Sequence, residues 1–199
     1  MRVIAGSAGG LRLVAPKGAR PTTDRVKESL FASLGDVVDD ANVLDLFAGS
    51  GALGIEALSR GARWATFVDD DRAAVSAIRA NLESTGFADR ATVVGRAVGR
   101  VVRARSEQGD RERGEPRESG DVGAPFDLVL LDPPYDIGAQ VLGDLLAVLD
   151  VGDWTEPGAT VVVERRKGSE PVEHPEGWQV ARERTYGDTL TLVLTVPSF

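Results

Sequence analysis

Short apolar runs alternate with longer amphipathic stretches along most of the chain. The runs Asn42–Phe47, Trp64–Asp69, Ala91–Val94, Phe126–Leu131 and Ala159–Glu164 are apolar on both alternating positions, as strands buried on two faces must be. Between them, Leu53–Arg60, Asp71–Thr85 and Ala139–Leu149 place apolar residues three and four apart, which predicts helices. A weaker helical pattern follows Val94. Such alternation implies a mostly parallel sheet covered on both sides. Near the start, Val3-Ile4-Ala5 and Leu11-Arg12-Leu13-Val14 flank Gly6-Ser7-Ala8-Gly9-Gly10, which reads as a hairpin. Val26, Leu30, Phe31 and Leu34 then mark one face of a helix, with Thr22, Thr23 or Asp24 as its cap. Trp178–Arg184 and Leu190–Val196 flank Thr185-Tyr186-Gly187-Asp188-Thr189. That closing hairpin makes the last strand antiparallel to its neighbour.

The expected whole is one α/β domain over 1–199, with a hairpin-and-helix extension at 1–36. Its length of 199 residues and hydrophobic content of 42% suit a single core. Residues 103–123 stand apart. Arg103 to Gly120 carries five arginines, five acids, three glycines and a proline. So little apolar surface predicts a flexible charged insertion.

Composition narrows the chemistry. No cysteine is present, which excludes disulfides and thiolate metal sites. The lone histidine, His174, lies in a polar stretch, which argues against a zinc site or a histidine-based triad. No run has the length of a membrane span, and Met1–Gly6 lacks the apolar core of a signal peptide. A cytoplasmic protein without metal is expected. The net charge of −8 disfavours nucleic acid, yet Arg2, Arg12, Lys17, Arg20, Arg25 and Lys27 face only Asp24 before residue 28. An acidic body with a basic N-terminal face can hold RNA phosphates. Arg2, Arg12, Arg20 and Lys27 are the candidates, with Arg165, Arg166 and Lys167 as possible helpers.

Two motifs carry candidate chemistry. Asp45-Leu46-Phe47-Ala48-Gly49-Ser50-Gly51-Ala52-Leu53-Gly54 follows the first strand and opens a helix. Its glycines allow a tight turn and close backbone approach to a ligand. Asp69, Asp70 and Asp71 end the second strand at about the 20-residue spacing of a ribose-binding acid. Asp45 suits an ammonium better than a pyrophosphate, which favours S-adenosylmethionine over NAD. The second motif is Asp132-Pro133-Pro134-Tyr135, at the end of the fourth strand. It offers an acid to accept from a planar amine, prolines that stiffen the backbone, and a ring to stack on the substrate.

Together the motifs resemble the class I methyltransferases, whose amino-methylating members carry such a tetrapeptide. Arg20–Phe31, Leu44–Gly61 and Tyr186-Gly187-Asp188-Thr189 resemble the RsmD family over nearly the whole chain except 103–123. The resemblance implies a Rossmann-like seven-stranded sheet and methylation of a guanine N2 in 16S rRNA, within a small-subunit assembly particle. It implies that Thr23 closes over S-adenosylmethionine, that Asp45, Phe47, Ala48, Gly49, Ser50 and Gly51 line it, and that Asp69 and Asp70 hold the ribose. Asp132, Pro133, Pro134 and Tyr135 would form the catalytic site. One departure is Gly95-Arg96-Ala97-Val98, where many class I enzymes place an acid or amide near adenine. The rivals are an adenine-N6 DNA methyltransferase, a protein-glutamine methyltransferase, an NAD-dependent oxidoreductase, and an rRNA-binding assembly factor without catalysis.

Overall fold

The computed structural model describes residues 1–16, 24–106, 125–151 and 154–198. Seven strands form one sheet in the order β3-β2-β1-β4-β5-β7-β6. β1 (Asn42–Leu46), β2 (Trp64–Asp69), β3 (Ala91–Gly95), β4 (Phe126–Leu131) and β5 (Thr155–Arg166) run parallel. β7 (Thr189–Thr195) runs antiparallel to both β5 and β6 (Gln179–Tyr186). The expected parallel sheet with an antiparallel last strand is what forms.

Among the described residues five α-helices cover it: α1 (Asp24–Leu34), α2 (Ala52–Ser59), α3 (Arg72–Thr85), α4 (Val98–Ser106) and α5 (Ala139–Val151). Strand alternation sorts the core in two. Val43, Leu128, Leu130 and Val162 pack with α1, α2 and α3. Leu44, Leu46, Val129, Leu131, Val161 and Val163 pack with α4 and α5. Each fully buried side chain of this kind is worth about 1.5–3 kcal/mol. The strand order reverses between β1 and β4, so the ligand crevice of such a sheet opens above those two strands. Among the described residues no helix is long and apolar enough to cross a membrane.

Three details depart from expectation. Arg103–Ser106 belong to α4, because Val98, Val101 and Val102 form an apolar stripe that carries the helix past the expected start of the insertion. Residues 107–124 lie outside the described residues. β5 begins four residues early, and its pairing with β4 shifts register between Phe126 and Leu128. Pro157-Gly158 lies within the strand. The N-terminal hairpin, finally, is a single Arg2–Arg12 bridge rather than two strands. Val3 N–H bonds the Leu11 carbonyl, Gly10 N–H the Val3 carbonyl and Leu13 N–H the Met1 carbonyl across the hairpin, while other backbone groups dock on α2. Ile4 and Ala5 donate to the Glu56 carboxylate at 2.7 and 3.1 Å, and Ser7 N–H to the Ser59 carbonyl. Gly6, at φ +81°, lies so close to α2 that a Cβ would sit 1.8 Å from the Ser59 oxygen.

Candidate active site

The chain leaves β1 through a bend at Phe47, whose φ of +60° is unusual for a bulky residue. Such a conformation costs about 1–3 kcal/mol and persists only where its surroundings hold it. Ala48 N–H bonds the Val68 carbonyl, and Gly51 N–H bonds the Ala48 carbonyl at 2.7 Å. Gly49 (φ +56°) and Gly51 (φ +76°) complete the turn. A Cβ on Gly49 would meet nothing closer than the Phe47 oxygen at 4.0 Å, so this backbone can meet a ligand directly. Gly54 is the opposite case. A Cβ there would lie 2.4 Å from Phe67, so only glycine lets α2 settle onto β2.

Carboxylates hold this loop. Asp45 Oδ2 accepts from Gly54 N–H at 2.8 Å, filling one of the open donors at the α2 N-terminus. Asp69 bridges two segments: Oδ2 accepts from Gly49 N–H at 2.8 Å and Oδ1 from Asp71 N–H at 2.9 Å. Asp71 then caps α3 by accepting from Ala73 N–H. Asp70 is exposed beside it. The loop and its acids therefore come together as the sequence suggests, with one exception. Ser50 donates its hydroxyl to the Met1 sulfur and gives its carbonyl to Asn81, so both face the interior.

Asp132 follows β4 directly and is half-buried. Pro133 is buried, whereas Pro134 and Tyr135 are exposed. The Pro134 carbonyl accepts from Ile137 N–H and turns the chain toward α5. By strand alternation Asp45, Asp132 and Glu164 share the sheet face that carries Val43, Leu130 and Val162. Burial pushes Asp45 well above the usual carboxylate range, against the pull of Gly54 N–H, with Asp132 and Asp69 adding to the rise. Burial, then Asp132 and Asp45, push Glu164 up to about 8. The cleft thus has an acidic floor running from β2 to β5, suited to cationic, hydroxylated or amine-bearing ligands. Glu164 was no candidate from sequence. The available signal was a lone acid ending the apolar run Val161-Val162-Val163, at the same sheet edge as Asp132.

The basic face needs correction. Lys27 is fully buried and cannot meet a phosphate. It donates to the Arg2 carbonyl and pairs with Glu56 at 3.8 Å. Glu56, also buried, accepts from Arg60 as well, at 2.7 Å. These two charges dock α1 and the N-terminal segment on α2, and burial lowers the Lys27 pKa despite Glu56. Arg2 remains exposed beside Asp24, and Arg12 is exposed. Arg166 and Lys167 are exposed at the end of β5. Thr23 and Arg20 lie outside the described residues. At the far edge, Ser29 of α1 donates to the Tyr186 hydroxyl at 2.6 Å.

Comparison with known proteins adds to this geometry. The family model described as "Conserved hypothetical protein 95" matches residues 1–195. The chain is 39% identical over 191 residues to YlbH of Bacillus subtilis, covering 95% of each. It is 34% identical over 189 residues to Ribosomal RNA small subunit methyltransferase D of Escherichia coli K12, covering 94% of this chain and 85% of that one. The solved structure of Escherichia coli yhhF superposes with a TM-score of 0.80 at 34% identity, covering 100% of this chain and 99% of that one.

Proposed function

Because the chain belongs to the RsmD family (conserved hypothetical protein 95) and has the class I methyltransferase fold, we propose that it methylates the exocyclic N2 amine of a guanine in 16S rRNA, using S-adenosylmethionine. The observation that carries this reading is the placement of Asp132-Pro133-Pro134-Tyr135 at the end of β4, beside the glycine loop of β1. The name of the Escherichia coli relative supports rRNA of the small subunit as substrate. A small-subunit assembly particle in the cytoplasm is the fitting partner.

The site suits the cofactor. The open space over Gly49 admits close backbone contact, and the acids around it match a ligand bearing an ammonium and ribose hydroxyls. Asp45, buried and bonded to Gly54 N–H, would serve by holding the loop, while Asp69 and Asp70 would hold the ribose. Phe47, Ala48, Gly49 and Gly51 would line the bound molecule, Ser50 serving through its place in the turn. When bound, S-adenosylmethionine supplies an electrophilic methyl group, so the protein's tasks are positioning and charge stabilisation.

A guanine N2 amine is a poor nucleophile because its lone pair is delocalised into the ring. Asp132 accepts one of its N–H bonds and the Pro133 carbonyl the other. These two acceptors favour the positive charge that develops on nitrogen, an effect worth up to about 10²–10³ in rate. Tyr135, 39% exposed, offers its face to a base that has left its stack. Arg2, Arg12 and Arg20, with Arg166 and Lys167, would hold phosphates.

The test is tritiated methyl transfer to small-subunit particles from cells lacking the activity, followed by mapping of the modified nucleotide. Asp132→Ala should abolish transfer while calorimetric binding of S-adenosylmethionine persists. Full turnover by this variant would remove Asp132 from the mechanism. Heat on titration with NAD but none with S-adenosylmethionine would refute the cofactor.

A further inference from the structure

The methyl-transfer reading leaves one buried carboxyl group of the cleft without a task. Glu164 is 4% exposed, and its Oε1 is buried with no hydrogen-bond partner among the described residues. Leu131 of β4 pairs with Val163 of β5, so the next positions along are Asp132 and Glu164. Parallel neighbours on one face stand about 4.8 Å apart. On its other side Glu164 pairs with Thr191 of β7, whose hydroxyl is likewise buried without a partner among the described residues. Native interiors leave few such atoms. Two adjoining ones beside Asp132 mark unmet hydrogen-bonding capacity at the floor of the cleft.

We propose that Glu164 accepts the ring N1–H of the target base while Asp132 holds the neighbouring amine, which makes the site selective for a guanine edge. The inference rests on the reading of Asp132 as the amine acceptor. Guanine carries N1–H and N2–H on adjacent atoms, so two acceptors from adjacent strands match it. Adenine has no N–H at N1 to give to Oε1. Burial next to Asp132 and Asp45 keeps Glu164 largely protonated near neutrality. A protonated carboxyl keeps its carbonyl oxygen as an acceptor, and a carboxylate keeps both oxygens. Oε1 is thereby left as an acceptor in either ionisation state. Glu164 is in this sense a specificity residue, distinct from the group that activates the amine.

The experiment compares guanine with 2-aminopurine, which keeps the N2 amine but has no N1–H. Each is placed at the mapped target position of rRNA reconstituted into small-subunit particles, and kcat/KM is measured for the wild type, Glu164→Gln and Glu164→Leu. The wild type should favour guanine by about 10²-fold or more, since a site built for an N–H rejects an analogue lacking it. Glu164→Gln retains an acceptor oxygen and should keep that ratio within about threefold. Glu164→Leu should cut the ratio to about tenfold or less while still binding S-adenosylhomocysteine, which shows that it folds. Glu164→Ala replaces it if that binding is lost. Comparing ratios removes the intrinsic difference in amine reactivity. An unchanged ratio in Glu164→Leu, or its collapse in Glu164→Gln, overturns the proposal while guanine methylation stands. Absence of transfer to guanine by the wild type overturns the N2-methylation reading and the proposal with it.

Discussion

Replacing Glu164 with Gln should make the folded protein more stable, and by an amount that depends on pH. Burial beside Asp132 and Asp45 raises the Glu164 carboxyl from 4.5 to about 8. Between these values the native chain retains a proton that the unfolded chain releases, so stability falls as pH rises. The stability is fully present below pH 4.5 and is lost as pH climbs through about 8. Each pKa unit corresponds to about 1.4 kcal/mol. The wild type should therefore have lost about 3 kcal/mol at pH 7 and about 5 kcal/mol above pH 8. Gln carries no such cost. Urea unfolding of both proteins at pH 4.5, 7 and 8.5 reads the difference. Midpoints should coincide at the lowest pH and separate in favour of Glu164→Gln as pH rises. At pH 7 the gap corresponds to about 6–12 °C in Tm for a chain of this size. Parallel curves with a constant offset would refute the argument, because they would mean that Glu164 titrates alike in both states.

Lys27→Met should cost about 3–5 kcal/mol in urea unfolding, as expected when a buried ion pair loses one member. The same variant should leave the salt dependence of RNA binding unchanged, whereas Arg12→Ala should lower its slope by about 0.7–0.9 for each phosphate that the arginine neutralises. A reduced slope for Lys27→Met would return Lys27 to the RNA surface. Gly54→Ala drives a methyl group into Phe67 and should destabilise by about 1–3 kcal/mol. Unchanged stability there would show that α2 can retreat from β2.

The strand–helix alternation was legible because strands buried on two faces leave continuous apolar runs, as Leu128–Leu131 and Val161–Val163 do. The glycine loop and Asp69 were legible for a related reason: their task is local to one βαβ unit. Lys27 and Glu164 show where such reading stops. Lys27 sits between Val26 and Leu30 in sequence, and only the packing of α1 on α2 brings it to Glu56. Glu164 is one acid among many until β5 lies next to β4 and β7. Ser50 fits the glycine pattern well as a sequence position, yet Met1 and Asn81 draw its polar atoms inward.

The strand order has a consequence for how the molecule comes into being. β6 precedes β7 in the chain but joins the sheet only through it, since β7 lies between β5 and β6. On the ribosome, β6 must wait for β7 before it has anything to pair with. The β1–β2–β3 half, with its glycine loop, depends on no such late arrival. Assembly is therefore staged: the half with the glycine loop can form early, while the flank that holds Thr191 against Glu164 closes only once β7 has emerged.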